Sequence, residues 1–356
     1  MKTVRLGKTG LKVSRVGIGG IPIQRPPENE AIKVIRRALD LGVNLIDTSI
    51  GYGDSEERIG KGIAGRREQV IIATKGRWKD RATALENIER SLERLNTGYI
   101  DLWQFHGVNT LEGYEGVLGP DGAMEGAQVA LQAGKIRHIG ISSHSPDVAK
   151  RAVVSGHFET IQFPFNFVAR ELAEELAPLA REHDVGFIAM KPFAGGMLRK
   201  ARLAIKYLLQ FDRVVPIPGV EKAVEIEEIV DIVNNEPWDL KPQERQEIEE
   251  IRARVGTRFC RRCRYCMPCP QDVEIQPLMT LPVLWELWPS GLSFSERSIG
   301  GYVTHVVESA ENCVQCGECE EKCPYELPIR EMMVENIALY ERAAAEHNAR
   351  QDASPQ

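Results

Sequence analysis

The sequence predicts an α/β fold: a (β/α)8 barrel followed by a smaller, mainly helical domain organised by cysteines. Three observations predict it. Short β-branched runs alternate with longer amphipathic stretches, eight strand-like runs in roughly the first 235 residues. The first 259 residues contain no cysteine. All eight cysteines then fall in two short runs near the C-terminus.

The elements follow in order. Residues 1–14 are polar, with Gly7 and Gly10 marking turns, and read as a small hairpin. The strand-like runs are 16–19, 44–49, 70–75, 100–106, 136–142, 160–165, 186–192 and 214–218. Helical stretches include 28–41, 83–95, 147–155, 169–183 and 201–211, and 223–234 follows the last run. An open doubly wound sheet is the competing arrangement. Gly17-Ile-Gly19-Gly20-Ile-Pro22 superficially matches a dinucleotide-binding turn. It fails because Pro22 stands where the third glycine belongs and no helix opens there.

Prolines at 237 and 242 mark a boundary, which assigns 1–236 to the barrel and 237–356 to the second domain. An acidic helix over 243–254 leads into the first cysteine run. Residues 271–312 read as mostly helical, with Trp285 and Trp288 placed to pack between the two domains. A last helix spans 329–347, and a polar tail follows.

Composition excludes several classes. A hydrophobic fraction of 43% and a charged fraction of 27% suit a globular domain in water. A net charge of −6 disfavours nucleic acid, whose binding needs clustered cations. Neither an export signal nor an apolar span is visible, so the expected compartment is the cytoplasm, with no membrane partner. Disulfides are not expected there, and cysteine spacing reads as metal ligation.

In a (β/α)8 barrel the chemistry gathers at the C-terminal ends of the strands. Asp47 ends the second run, with Tyr52 in the following loop; Lys75 ends the third and His106 the fourth. Together they suit carbonyl reduction. A hydride arriving at a carbonyl carbon builds charge on oxygen, which needs a proton donor and fixed dipoles. Tyr52 is the expected donor, its pKa lowered by Lys75, with Asp47 holding Lys75 charged. His106 is expected to donate a hydrogen bond to the carbonyl oxygen.

Asn44-Leu-Ile-Asp47-Thr-Ser-Ile-Gly-Tyr52-Gly, Ala73-Thr-Lys75 and Asp101-Leu-Trp-Gln-Phe-His106 together resemble the aldo-keto reductases over residues 1–235. The resemblance implies that Asp47, Tyr52, Lys75 and His106 form the catalytic tetrad. It also implies NADP(H) bound across the barrel mouth. Ser142, Ser143 and Gln162 match the positions that hold the carboxamide, and Pro218-Gly219 the turn that cradles phosphate, with the next helix offering its N-terminus. Glu227 matches the position that reads adenine.

Two positions depart from the family pattern. Met190 stands where a tyrosine normally stacks on nicotinamide. Val220-Glu221-Lys222 replaces the basic residues that grip the 2′-phosphate, leaving Lys222 as the attracting charge and admitting NAD. Lys191 is a further oddity that could reach cofactor or substrate. Trp78 and Phe193 are candidates for the pocket wall.

The second cysteine run, Cys313-Val-Gln-Cys316-Gly-Glu-Cys319-Glu-Glu-Lys-Cys323-Pro, has the C-x2-C-x2-C-x3-C-P spacing of bacterial ferredoxins. The first, Cys260-Arg-Arg-Cys263-Arg-Tyr-Cys266-Met-Pro-Cys269-Pro, is one residue shorter in its last gap. This half resembles the helical dicluster [4Fe–4S] ferredoxin-type domain carried by a subgroup of aldo-keto reductases. In such modules the fourth cysteine of each run ligates the other cluster. That implies Cys260, Cys263, Cys266 and Cys323 for one cluster, and Cys269, Cys313, Cys316 and Cys319 for the other. Zinc is the competing occupant.

The function expected is therefore NAD(P)H-dependent reduction of a small carbonyl substrate, with the clusters carrying electrons to or from a soluble redox partner. A flavin at the barrel mouth is an alternative carrier, because a hydride moves two electrons and a cluster one. The remaining alternatives are an electron-transfer protein with little carbonyl turnover and a plain reductase with structural clusters.

Overall fold

The computed structural model describes residues 1–196, 198–255, 258–260, 265–281, 299–323 and 325–352. The chain forms two compact units: Met1–Ala194 with Leu198–Glu250, and Gly195–Met197 with Ile251–Gln356.

In the first unit, a hairpin of β1 (Thr3–Arg5) and β2 (Lys12–Ser14) precedes the sheet. The sheet comprises β3 (Ile18–Gly19), β4 (Leu45–Asp47), β5 (Ile71–Gly76), β6 (Ile100–Phe105), β7 (Ile136–Ser142), β8 (Thr160–Pro164), β9 (Gly186–Met190) and β10 (Val214–Pro216). Each strand pairs in parallel with the next. The first and last strands then close the circle. Gly17 N–H donates to Pro216 O at 2.9 Å and Gly19 N–H to Pro218 O at 2.8 Å. Closure requires glycine, because a Cβ on Gly19 would lie 2.8 Å from Ile217 O. The fold is the predicted (β/α)8 barrel rather than an open sheet.

Leu6 and Val13 of the hairpin join Leu45, Ala73, Leu102, Ile188, Val215 and Ile217 in one fully enclosed apolar cluster. Leu6 lies against Gly186, where β9 begins. The hairpin thus seals the end at which strands start, and the C-terminal ends keep the mouth.

The expected helices are present as α1 (Glu28–Asp40), α3 (Arg81–Leu95), α6 (Pro146–Val154), α7 (Glu171–Glu182), α8 (Ala201–Leu209) and α9 (Ala223–Asn235). The structure also has α2 (Ser55–Gly62), α4 (Leu111–Leu118) and α5 (Ala123–Gln132), which lie between strand-like runs but outside the helical stretches named from the sequence. Each is short and contains glycine, which weakens propensity. In α5 the glycine serves packing: a Cβ on Gly126 would lie 2.5 Å from Arg81 O of α3. The acidic helix is α10 (Pro242–Val255). Lys206, with no exposed surface, pairs with Glu244 of α10 at 2.7 Å, so the start of this helix belongs to the barrel unit although it follows residue 236.

The second unit contains α11 (Ile275–Leu278), α12 (Ile299–Glu308), α13 (Glu318–Glu321) and α14 (Ile329–Asp352). Its core joins Val273, Ile275, Leu278, Val306, Leu327 and Met332, among others, and Cys260, Cys266, Cys269, Cys313, Cys319 and Cys323 pack against it. Cys263, Trp285, Trp288 and Pro324 lie outside the described residues. Among the described residues no helix is long and apolar enough to cross a membrane.

Candidate active site

Strand ends bring the four candidate side chains together. Asp47 closes β4 opposite Ala73, and Lys75 lies two residues further along β5, in strands buried apart from Ile71. Lys75 Nζ donates to Asp47 Oδ1 at 2.6 Å and to Thr48 O at 2.7 Å. Gln104 Nε2 donates to Asp47 Oδ2 at 3.3 Å and Gln162 Nε2 to Oδ1 at 3.2 Å. The two charged side chains are 1% and 3% exposed. Burial pushes the Asp47 carboxyl up and the Lys75 ammonium down, and each partner opposes the shift in the other.

Tyr52 sits in the loop between β4 and α2. Ile50 N–H donates to Lys75 O at 3.1 Å, and Arg94 holds Ile50 O at 2.9 Å while pairing with Glu57 at 2.8 Å. This anchors the loop to the β5 end and to α3. Lys75 Nζ lies 5.1 Å from the centre of the Tyr52 ring. The His106 ring meets Tyr52 edge-on at 5.5 Å.

One expectation changes. The phenol is held protonated, its pKa moved up by burial and then by the Asp47 charge. Lys75 does not lower it because Asp47, in contact with Lys75, cancels the ammonium's field and repels a tyrosinate. His106 is neutral, its pKa pushed down to about 3 by burial and by Lys75. Ser49 Oγ lies 2.9 Å from the Lys75 carbonyl and accepts from Gly51 N–H at 3.1 Å. A hydroxyl has one proton. If Ser49 donates it to the Lys75 carbonyl, the ring donates the 2.9 Å contact from His106 Nδ1; if Ser49 donates it to Nδ1, the ring proton sits on Nε2 and can reach a carbonyl oxygen, the Lys75 carbonyl being satisfied by Ile50 N–H.

The nucleotide-binding candidates are also placed. Ser142 Oγ accepts from Gly107 N–H at 2.9 Å, and Ser143 N–H donates to Gln162 O at 3.1 Å. Gln162 Oε1 is buried with no hydrogen-bond partner among the described residues. An unmet buried acceptor costs about 1–3 kcal/mol, and the amide of a nicotinamide supplies the missing donor. These residues fit that ring. Met190, half-buried, ends β9 and packs on the inner apolar cluster. Pro218 and Gly219 lie at the closure seam.

The far end of the expected groove is more occupied. Glu225 Oε2 accepts from the Glu221 and Lys222 amides at 2.7 and 3.1 Å, so the α9 N-terminus already holds a carboxylate. Arg25 pairs with Glu221 and Arg37 with Glu227, each at 2.6 Å. Lys191, at φ 57°, places Nζ 2.8 Å from His144 Nε2. Trp78 Nε1 donates to His106 O at 3.0 Å, which puts its ring beside the tetrad. Ser49, Gln104 and Arg25 were missed by the sequence reading. Ser49 and Gln104 stand two residues from Asp47 and His106, which is the signal that could have found them.

In the second unit, Cys266, Cys269, Cys313, Cys316 and Cys319 line one cavity. Four of these are the set expected for one cluster. Among the described residues no three His, Cys, Asp or Glu side chains converge on a single-ion site. A cubane differs from one ion in holding each thiolate at a separate iron, so a cavity ringed by spaced thiols fits it. Burial raises the Cys319 thiol, with Glu320 and Cys313 adding to the shift.

The aldo/keto reductase family model matches residues 15–203, just over half of the chain. The chain belongs to the aldo/keto reductase family. Two Bacillus subtilis relatives agree. An uncharacterized oxidoreductase, YqkF, is 35% identical over 217 residues, 57% of this chain and 68% of that protein. The aldo-keto reductase YhdN is 38% identical over 222 residues, 56% of this chain and 64% of that protein. Among solved structures, the holo form of aldo-keto reductase AKR11C1 from Bacillus halodurans matches with a TM-score of 0.61 and 29% identity, covering 70% of this chain and 96% of that one. An aldo/keto reductase from Klebsiella pneumoniae in complex with NADP and acetate matches at 0.57 and 22% identity, over 70% of this chain and 95% of that one, a likeness of fold alone. Apart from Gly195–Met197, the family match lies within the barrel unit, and it leaves residues 251–356 outside it.

Proposed function

We propose that the barrel reduces a small carbonyl compound with NAD(P)H and that the second unit carries two [4Fe–4S] clusters that exchange electrons with a soluble partner. The observation that carries the barrel reading is a protonated Tyr52 placed over a buried Lys75–Asp47 pair and against neutral His106. Nicotinamide, when bound, supplies the hydride. Gln162 and Ser143 hold the carboxamide, which orients the ring. Tyr52 gives its proton to the carbonyl oxygen as charge develops there, with Lys75 held beside the ring by Asp47. Neutral His106 packs edge-on against the Tyr52 ring and fixes its direction.

The capped α9 N-terminus and the Glu221–Arg25 pair support NAD at least as well as NADP. In the second unit the reading rests on ferredoxin spacing and on the cavity that gathers Cys269 with Cys313, Cys316 and Cys319. Each cluster moves one electron, and Cys260, Cys263, Cys266 and Cys323 are the ligands assigned to the other. The test is Tyr52→Phe. Carbonyl turnover should fall by about 10²–10⁴, with nicotinamide binding and iron content unchanged. Retained turnover would overturn the assignment of the proton donor.

A further inference from the structure

Arg330, in the second residue of α14, lines the five-cysteine cavity. Its side chain is held at two points. Nη1 donates to Gln315 O at 3.0 Å, within the cysteine loop, and Nη2 to Glu320 Oε2 at 2.6 Å. Its backbone N–H also donates to Glu320, at 2.9 Å. Gly317, at φ 84°, leaves room over the guanidinium, whose atoms lie 3.6–3.7 Å from where a Cβ would stand. This clamp accounts for the outer nitrogens. It leaves Nε, which is buried and has no partner among the described residues. A buried guanidinium N–H without an acceptor is costly in a native fold, and such groups point to something that occupies the site.

The charges around the cavity are ordered as well. Arg330 and Lys322 both line the cavity that gathers the five cysteines. Each cation is itself paired with a carboxylate: Arg330 with Glu320, and Lys322 with Glu318 at 2.8 Å. The glutamates moderate the cations, and Nε–H remains unshared.

We propose that Arg330 is a tuning residue for the cluster held by Cys269, Cys313, Cys316 and Cys319, its Nε–H donating to a sulfur of that cluster and raising its reduction potential. The proposal rests on the iron–sulfur reading above. Reduction adds negative charge to a cluster, and hydrogen bonds to its sulfurs favour the more negative state. Glu320 opposes the effect, because it offsets the guanidinium charge.

The opposed roles of Arg330 and Glu320 give the test. Holoprotein is prepared anaerobically, iron and sulfide are counted, and the reduced signals are followed by EPR in a redox titration. The relevant signal is the one lost in Cys313→Ala. Arg330→Gln should lower its midpoint potential and Glu320→Gln should raise it, with the other signal unmoved. Arg330→Lys, which keeps the charge and loses Nε–H, should fall between wild type and Arg330→Gln. A purely structural clamp would move both variants the same way, toward loss of cluster, without a shift of opposite sign. Unchanged potentials at full iron content, or shifts of the same sign, overturn the tuning role and leave the clusters standing. Wild-type protein without bound iron and sulfide overturns the iron–sulfur reading and this proposal with it.

Discussion

Replacing Lys75 by methionine removes one half of an ion pair that has no access to water. The side chains are 1% and 3% exposed, and the carboxylate keeps two amide donors, Gln104 and Gln162, when the ammonium is lost. Removing one partner of a buried pair costs about 3–5 kcal/mol, because the other charge stays buried without compensation. Asp47 then takes up a proton, since burial already pushes its pKa up. The sign of the pH dependence follows. A carboxyl whose folded pKa lies above its unfolded value is most favourable below the unfolded value and loses stability as pH rises toward the folded one. Lys75→Met should therefore be closest to wild type at or below about pH 4 and fall away by about 1.4 kcal/mol per pH unit above that. Adding Asp47→Asn removes the stranded charge, and the double variant should lose less than the sum of the singles by about 2–3 kcal/mol. Native-state hydrogen exchange of the β4 and β5 amides reads the opening free energy of the barrel unit itself. A single variant within about 1 kcal/mol of wild type at every pH would refute the claim that this pair is buried and charged.

Other expectations follow from the same geometry. Nitrogen-15 NMR of His106 reads where the ring proton sits, Nδ1 if Ser49 donates to the Lys75 carbonyl and Nε2 if Ser49 donates to the ring, and Ser49→Ala should give a mixture of tautomers; an unchanged tautomer in Ser49→Ala would contradict the role of the Ser49 contact. Because the folded pKa of His106 lies near 3 and the unfolded one near 6.5, its contribution is complete above pH 6.5 and is lost as pH falls. The stability difference between wild type and His106→Gln should therefore shift against wild type by about 1.4 kcal/mol per unit below pH 6.5. A difference that stays flat would mean that the imidazole is not buried neutral. Cys313→Ala should reduce iron from about eight to about four per chain, since two four-iron clusters share the eight cysteines. Full iron retention would refute the ligand partition.

The barrel was legible because its strands are short β-branched runs at regular spacing, and β7 matches its expected limits residue for residue. Helices α2, α4 and α5 were not, because eight to ten residues interrupted by glycine carry little periodicity. The tetrad was legible because its members sit at strand ends, where topology alone brings distant residues together. Its electrostatics were not. Whether Lys75 lowers the Tyr52 pKa depends on how closely Asp47 approaches it, and whether His106 donates or accepts depends on one proton of Ser49. Likewise, sequence showed Glu221 where a basic residue was expected, while its pairing with Arg25 emerges only when residues 196 positions apart meet. The cysteine spacing led to the expectation of iron–sulfur ligation, whereas the guanidinium beside five of the cysteines comes from a helix further along the chain.

The most direct measurement uses nicotinamide carrying deuterium at C4, mixed anaerobically with holoprotein and an aldehyde. The account predicts one alcohol per cofactor oxidised, labelled at its carbinol carbon, and no labelled alcohol from Tyr52→Phe. Cofactor oxidised without labelled alcohol, with its electrons appearing on the clusters, would contradict it.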